Sequence, residues 1–154
     1  MKSKILTDHT LIINNLEKNI KFHKWDCILP FLPKGSYLVG GLIRDIILGT
    51  VTEDLDVDIV VPINAIEIGK RISDNSQSKF IILDKKREVV RIILGHISID
   101  IANQVSSTIE EDLSSRDFSI NSIAFLLDKK CLVDPLNGLK DLEISLLRTH
   151  SEKN

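Results

Sequence analysis

The segment YLVGGLIRDIILGTVTEDLDVDIVV at residues 37–61 constrains this chain more than any other part of it. Three apolar residues, Tyr37, Leu38 and Val39, run into Gly40-Gly41, and a short amphipathic stretch carrying Arg44 and Asp45 follows. An acidic strand is predicted next, in which Asp54, Asp56 and Asp58 alternate with apolar residues. Strand, glycine turn, helix and acidic strand in that order suit a grip for a nucleotide's phosphates with metal ions beside it. Glycine lets the backbone come close to an anion, and the helix it opens aims free N–H groups at that anion. Side chains two apart on a strand share a face, so Asp56 and Asp58 project together and can clamp one divalent cation.

Length and composition bound the rest. At 154 residues the chain makes one domain with a real core. Its hydrophobic share of 43% and charged share of 27% are those of an ordinary soluble globular protein. A net charge of -2 excludes a strongly basic field, so a broad RNA footprint has to come from a local cleft or from another part. Cys27 and Cys131 lie far apart in no metal-ligand spacing and read as thiols of a reducing compartment. His9, His23, His96 and His150 are equally scattered, and none is assigned to a metal. The N-terminus has no apolar run long enough for a signal peptide, and no segment is long enough to span a bilayer. The expected location is cytoplasmic, with no membrane partner.

Along the chain, apolar spacing predicts a core-packing helix over 11–20 and a second over 65–72, separated by extended chain between Pro30 and Pro33 and by the 37–61 segment. Residues 73–78 read as a polar loop. Two strands, 80–83 and 89–94, flank the turn Asp84-Lys85-Lys86-Arg87-Glu88, which predicts a hairpin with a solvated basic tip. Residues 97–102, ISIDIA, alternate again, and Asp100 is the one acid on an apolar strand, where a carboxylate must be paired, exposed or on a metal. Residues 107–125 read as helical, most strongly from Arg116 onward, and Leu132-Val133 as a short strand entering the turn DPLNG. Strands mixed with helices, one hairpin included, predict an α+β fold: one mixed sheet with helices packed on it.

Nucleotidyl transfer needs a hydroxyl nucleophile, a bound triphosphate and metal ions spanning both. Asp56, Asp58 and Asp100 fit the carboxylate requirement by pattern. Arg116 can neutralise phosphate charge. On a helix, Asp117 and Asn121 would be i,i+4 neighbours able to hold a ribose hydroxyl or a partner arginine.

Four motifs carry a family resemblance: LVGGLIRDIILG at 38–49, LDVDIVV at 55–61, EEDLSSRDFSINSIAF at 110–125 and LVDPLNGLKDL at 132–142. In that order they resemble the head domain of the class II tRNA nucleotidyltransferase (CCA-adding enzyme) and bacterial poly(A) polymerase family, over about 35–147. The resemblance implies the polymerase-β-like nucleotidyltransferase fold. It implies transfer of CMP or AMP from CTP or ATP to an RNA 3′ hydroxyl, the RNA being a tRNA, with Mg²⁺. Gly40, Gly41 and Arg44 match the phosphate-holding positions, Asp56 and Asp58 the metal pair, and Asp100 the third catalytic carboxylate. Arg116 matches the nucleotide-contacting arginine, and Asp117 and Asn121 the polar positions that support it.

Two registers of the acidic pair are open: Asp54 with Asp56, or Asp56 with Asp58. The second leaves Ile59-Val60-Val61 directly after the pair, whereas the first leaves Asp58 as an extra charge inside the strand. Three departures from the family pattern stand out. Ser115 replaces the first arginine of its RRDF motif, Asn103-Gln104 replaces an arginine and a longer loop, and no neck, body or tail sequence follows. The expected organisation is an N-terminal helical segment at 1–34, the head at 35–147 and a polar tail at 148–154. The expected function is a catalytic head, truncated or working with a separate neck and body polypeptide. A stand-alone poly(A)-type enzyme and a non-catalytic nucleotide- or RNA-binding remnant are the alternatives.

Overall fold

A strand that buries one face must alternate, and two segments of this chain do so in step. In β2 (Leu55–Val61) Leu55, Val57, Ile59 and Val61 are buried, and in β5 (Ile97–Asn103) so are Ile97, Ile99 and Ile101. The two strands pair in parallel with Val57 against Ile99 and Ile59 against Ile101. Their apolar faces therefore coincide, and Asp56, Asp58, Ser98 and Asp100 lie together on the other face. A computed structural model describes residues 8–22 and 25–149; His23, His150 and most of the expected polar tail lie outside them.

A parallel pair needs a crossover. It is supplied by α3 (Ala65–Ser76) followed by the hairpin β3 (Lys79–Asp84) and β4 (Val89–Leu94). On the other flank β1 (Tyr37–Val39) pairs antiparallel with β2, then with β6 (Ala124–Leu126), which pairs with β7 (Cys131–Val133). The result is a seven-stranded mixed sheet in the order β3-β4-β5-β2-β1-β6-β7.

The buried face packs against α1 (His9–Phe22), α2 (Gly41–Leu48) and α3. Ile12, Leu16, Ile43, Ile47 and Ile72 lie in one cluster with Ile59, Ile92, Ile99 and Phe125. Gly69 lets α3 sit close on the sheet, since a Cβ there would come 2.6 Å from Val90 Cγ2. On the opposite face, α4 (Ile109–Ser114) covers one part of the sheet, with Ile109 and Leu113 against Val39, Val60 and Ala124. The acids of β2 and β5 share that face.

Four local expectations are corrected. Residues 107–125 are not one helix. A capping box between Thr108 and Glu111 starts α4, whose last turn ends at Ser115, and Phe118 is extended. A single 3₁₀ turn, Ser119–Asn121, follows before the chain joins the sheet as β6. Tertiary demand wins here: Ser119 is fully buried and donates to Asp141, and residues 124–126 are needed beside β1. Second, α3 continues through Ser76, because the Ser73 hydroxyl donates to the Ser78 carbonyl and the Ser76 hydroxyl to Ile72, absorbing polarity that suggested a loop. Third, the chain before Pro33 is a 3₁₀ helix, Trp25–Phe31, with Pro30 inside it, rather than extended. Fourth, β2 begins at Leu55, so Asp54 precedes the strand. The hairpin is as expected, with Lys85, Lys86 and Arg87 exposed at its tip.

After β7 the chain turns through DPLNG into α5 (Gly138–Glu143). Asp134 accepts from the N–H groups of Gly138 and Leu139 at 2.7 and 2.9 Å, which satisfies the helix start. Buried Asp141 accepts from the Ser119 hydroxyl and from Arg148, whose Nη2 lies 2.7 Å away. The Ser119 N–H in turn donates to the Arg148 carbonyl. A Cβ on Gly138 would fall 2.3 Å from the Ser119 carbonyl oxygen, a backbone atom that cannot step aside. Gly138→Ala is therefore expected to lower unfolding free energy in urea by about 1–3 kcal/mol, the usual cost of overpacking. An unchanged urea midpoint would show that the α5–Ser119 contact is looser than described.

Candidate nucleotide and metal site

The site grows from the end of β1. Gly40 has φ 81° and ψ -141°, a backbone conformation reserved in practice for glycine, and its N–H donates to the Ile123 carbonyl. A Cβ here would sit 3.2 Å from Asp58 Oδ2 and 3.3 Å from Arg116 Nη1. The turn is thus the point where a β2 carboxylate and the arginine after α4 meet. Gly41 begins α2, so the helix's unpaired N–H groups open beside them.

Arg44 lies on the first turn of α2 with its guanidinium over Gly41. It is held on two sides: Nε donates to Asp45 Oδ1 at 2.8 Å and Nη1 to Asn121 Oδ1 at 2.7 Å. Asn121 therefore supports Arg44 from the 3₁₀ turn, not from a helix shared with Asp117. The i,i+4 arrangement expected of those two does not form, because the chain between them is extended at Phe118. Asp117 is exposed. Ser115, standing where the family has an arginine, caps α4 by donating to the Asp112 carbonyl. Asn103 accepts from the Ala65 N–H at the start of α3 and donates to Glu88, so it serves the crossover helix.

A cavity of about 260 Å³ lies between α2 and β2, lined by Gly41, Arg44, Thr52, Asp54, Asp56 and Asp58. Asp54 reaches its mouth from outside the strand and is solvent-exposed, with its carboxylate 3.3 Å from His96 Nδ1. Asp56 is exposed on the strand, and Asp58, two residues on along the same face, is half-buried. Asp100 is the direct cross-strand partner of Asp58. Both its oxygens are engaged by Arg91 of β4, Nε to Oδ1 at 2.7 Å and Nη2 to Oδ2 at 2.8 Å. The lone acid of the ISIDIA strand is thus paired, and its partner was the residue that pattern reading passed over. A signal was present: Arg91 alternates with buried Val90 and Ile92, which puts one cation on the face that carries the one acid of β5.

Burial pushes the Asp58 carboxyl above its ordinary range, the Asp100 charge adds to the rise, and Arg116 opposes it. Arg91 is driven further toward its charged form, chiefly by its hydrogen bonds to Asp100. Among the described residues no three acidic, histidine or cysteine side chains close into a metal cage. Two aspartates on one strand face offer hard oxygen ligands to part of a cation's shell. That suits Mg²⁺, which ordinarily takes one or two protein carboxylates and fills the rest with water and substrate phosphate.

With this geometry in view, the model of the Poly A polymerase head domain matches residues 36–148. The chain belongs to the poly A polymerase head domain family. A CC-adding tRNA nucleotidyltransferase of Synechocystis sp. is 40% identical over 120 residues, covering 78% of this chain and 29% of that protein. An A-adding tRNA nucleotidyltransferase of Deinococcus radiodurans is 34% identical over 126 residues, covering 82% of this chain and 28% of the relative. Among solved structures, the Thermotoga maritima CCA-adding enzyme complexed with tRNA superposes with a TM-score of 0.66 at 38% identity, over 75% of this chain and 28% of that one. This head domain therefore spans less than a third of the length of the curated relatives it matches, and it has the polymerase-β-like nucleotidyltransferase fold expected from its motifs. No helix of the described residues is long and apolar enough to cross a membrane.

The Asp58 shift has a measurable sign. Asp58 is protonated in folded and unfolded chains alike well below its ordinary pKa of 3.8, and stability is lost as pH rises through the raised folded value. In chelator, Asp58→Asn is expected to raise the melting temperature relative to wild type at pH 7, with the difference shrinking toward pH 3. A difference independent of pH would mean that Asp58 is not held in a dehydrated, like-charged setting.

Proposed function

We propose that this chain is the catalytic head of a template-independent RNA nucleotidyltransferase, adding CMP or AMP from CTP or ATP to an RNA 3′ end, that RNA being a tRNA. The observation that carries this reading is the convergence of Asp58 and Arg116 on the Gly40 turn, with Arg44 held over the start of α2. Asp56, Asp58 and Arg44 thereby line one small cavity, with Arg116 at the Gly40 turn beside Asp58. The CC- and A-adding activities named for the relatives support the same chemistry.

In the reaction, the RNA 3′ oxygen attacks the α-phosphorus and the bond from that phosphorus to the α,β-bridging oxygen breaks. Pyrophosphate leaves, and the hydroxyl proton passes to solvent or to a site carboxylate. Gly40, Gly41 and the α2 N–H groups approach the triphosphate, Arg44 and Arg116 balance its charge, and Asn121 fixes Arg44. Asp56 and Asp58 are the metal pair of this reading, and Asp100 is the third catalytic carboxylate. Exposed Asp117 is a polar contact for the nucleotide in this reading. Mg²⁺ held there would lower the charge cost of attack and departure. The base-selecting and tRNA-holding parts belong to a neck and body polypeptide, fused or separate, and the setting is the cytoplasm, where tRNA and nucleotides meet. In this reading the head comprises 35–147, preceded by the helical segment 1–34 and followed by the tail 148–154.

Titration calorimetry tests both the reading and the register of the pair. Wild type is expected to bind CTP or ATP in Mg²⁺, and Asp56→Ala and Asp58→Ala to abolish that binding. Asp54→Ala should stay within about 2-fold, as for an exposed surface pair. Loss of binding in Asp54→Ala with retention in Asp58→Ala moves the pair to Asp54 and Asp56, and no nucleotide binding by wild type ends the active-head reading. Gly40→Ala adds a check on the turn: it should weaken nucleotide binding by about 10-fold or more, given strain of order 1–3 kcal/mol and crowding of Asp58 and Arg116.

A further inference from the structure

We propose that Arg91 is the primer-side residue of this site, holding Asp100 and binding the last phosphodiester of the RNA whose 3′ hydroxyl attacks. The inference rests on the nucleotidyltransfer reading and deepens it by assigning the side from which RNA enters.

Position comes first. Across the open face the residues at one level run Val39, Asp58, Asp100, Arg91, each the cross-strand partner of the next. Strands lie about 4.8 Å apart, so Arg91 stands two strand spacings, or about 10 Å, from Asp58. The phosphate-gripping groups, Gly40, Arg44 and Arg116, all lie at the β1 end of that row. In-line transfer puts the attacking and leaving oxygens on opposite sides of the phosphorus. With pyrophosphate leaving toward the glycine turn, the attacking hydroxyl comes from the β5–β4 side. The phosphodiester one ribose behind it then lies over Arg91.

Chemistry agrees with position. A guanidinium carries five N–H donors, and the two bonds to Asp100 use one on Nε and one on Nη2. Three remain, on a side chain that is 39% exposed. Pairing with Asp100 therefore engages only part of the donor capacity of Arg91. The same guanidinium can bridge a carboxylate and a phosphate, fixing Asp100 beside the incoming strand. In a chain of net charge -2 whose open face carries three acids, it is the cation placed to offset their repulsion of RNA on that side.

The test separates this inference from the function it rests on. Short single-stranded RNA with a free 3′ hydroxyl is titrated by fluorescence anisotropy at low salt in Mg²⁺. Mg²⁺·CTP, Mg²⁺·ATP and pyrophosphate are followed by calorimetry on the same 154-residue chain. R91Q is expected to bind RNA about 10-fold more weakly, with a log–log salt slope smaller by about 1, the loss of one phosphate contact. Its nucleotide affinity should fall by less than its RNA affinity, since Arg91 reaches that pocket only through Asp100 and the charge of Asp58. R91K, which keeps the charge but not the fork, should restore part of the RNA affinity. Should R91Q not fold, R91M, which keeps the stem and removes only the charge and its donors, takes its place. Wild-type RNA binding that is undetectable at low salt, or equal in R91Q, overturns the proposal. So does an Arg91 dependence seen for pyrophosphate instead of RNA. Absence of nucleotide binding in wild type overturns the underlying reading instead.

Discussion

The parallel pairing of β2 with β5 is the constraint on which the other parts depend. Burying Ile59 against Ile101 leaves Asp58 and Asp100 no choice but to stand side by side on the opposite face, because side chains alternate along a strand. A slip of one residue would send the carboxylates into the core and the isoleucines into water, which is why the register is so strongly specified. Parallel strands also oblige the chain to travel between them. The route chosen, α3 and then a hairpin, covers the apolar face and returns with Arg91 on the strand next to β5. One topological requirement thus shields the core and delivers a cation to the acids.

That arrangement is held against local preferences. Gly40 keeps a backbone conformation few residues tolerate, and Asp58 is partly dehydrated beside another carboxylate. Neither feature favours the fold. Both persist because the surroundings overdetermine them: the β1–β2 ladder on one side, the Gly40 bond to Ile123 on another, and the isoleucine-rich core beneath. Asp58 thus stands in a setting of charge repulsion that a bound cation would relieve.

Much of this was legible from residues alone, for reasons that can be named. Period-two alternation in LDVDIVV and ISIDIA marks the faces of β2 and β5 whatever surrounds them, and Gly-Gly after an apolar run marks a close backbone approach. The order of motifs identified the fold. Residues 107–125 misled because their apolar spacing tolerates a helix, while the outcome was decided by partners far away, Asp141 for Ser119 and β1 for residues 124–126. Arg91 was missed for a related reason. Nothing nearby in sequence marks it, and only the hairpin register brings it against Asp100. Asp141 and Arg148 belong to the same class: a buried carboxylate and its guanidinium, 7 positions apart, meet around a turn that composition does not announce.

That last contact makes the end of the described chain a latch. Arg148 is fastened to Asp141 by its side chain and to the Ser119 N–H by its carbonyl, and Thr149 bridges to Phe118. Ser119 is three residues from Arg116 and two from Asn121, the groups that face the glycine turn and steady Arg44. The segment after α5 is therefore pinned at one point both to that helix and to the loop that carries Arg116 and Asn121.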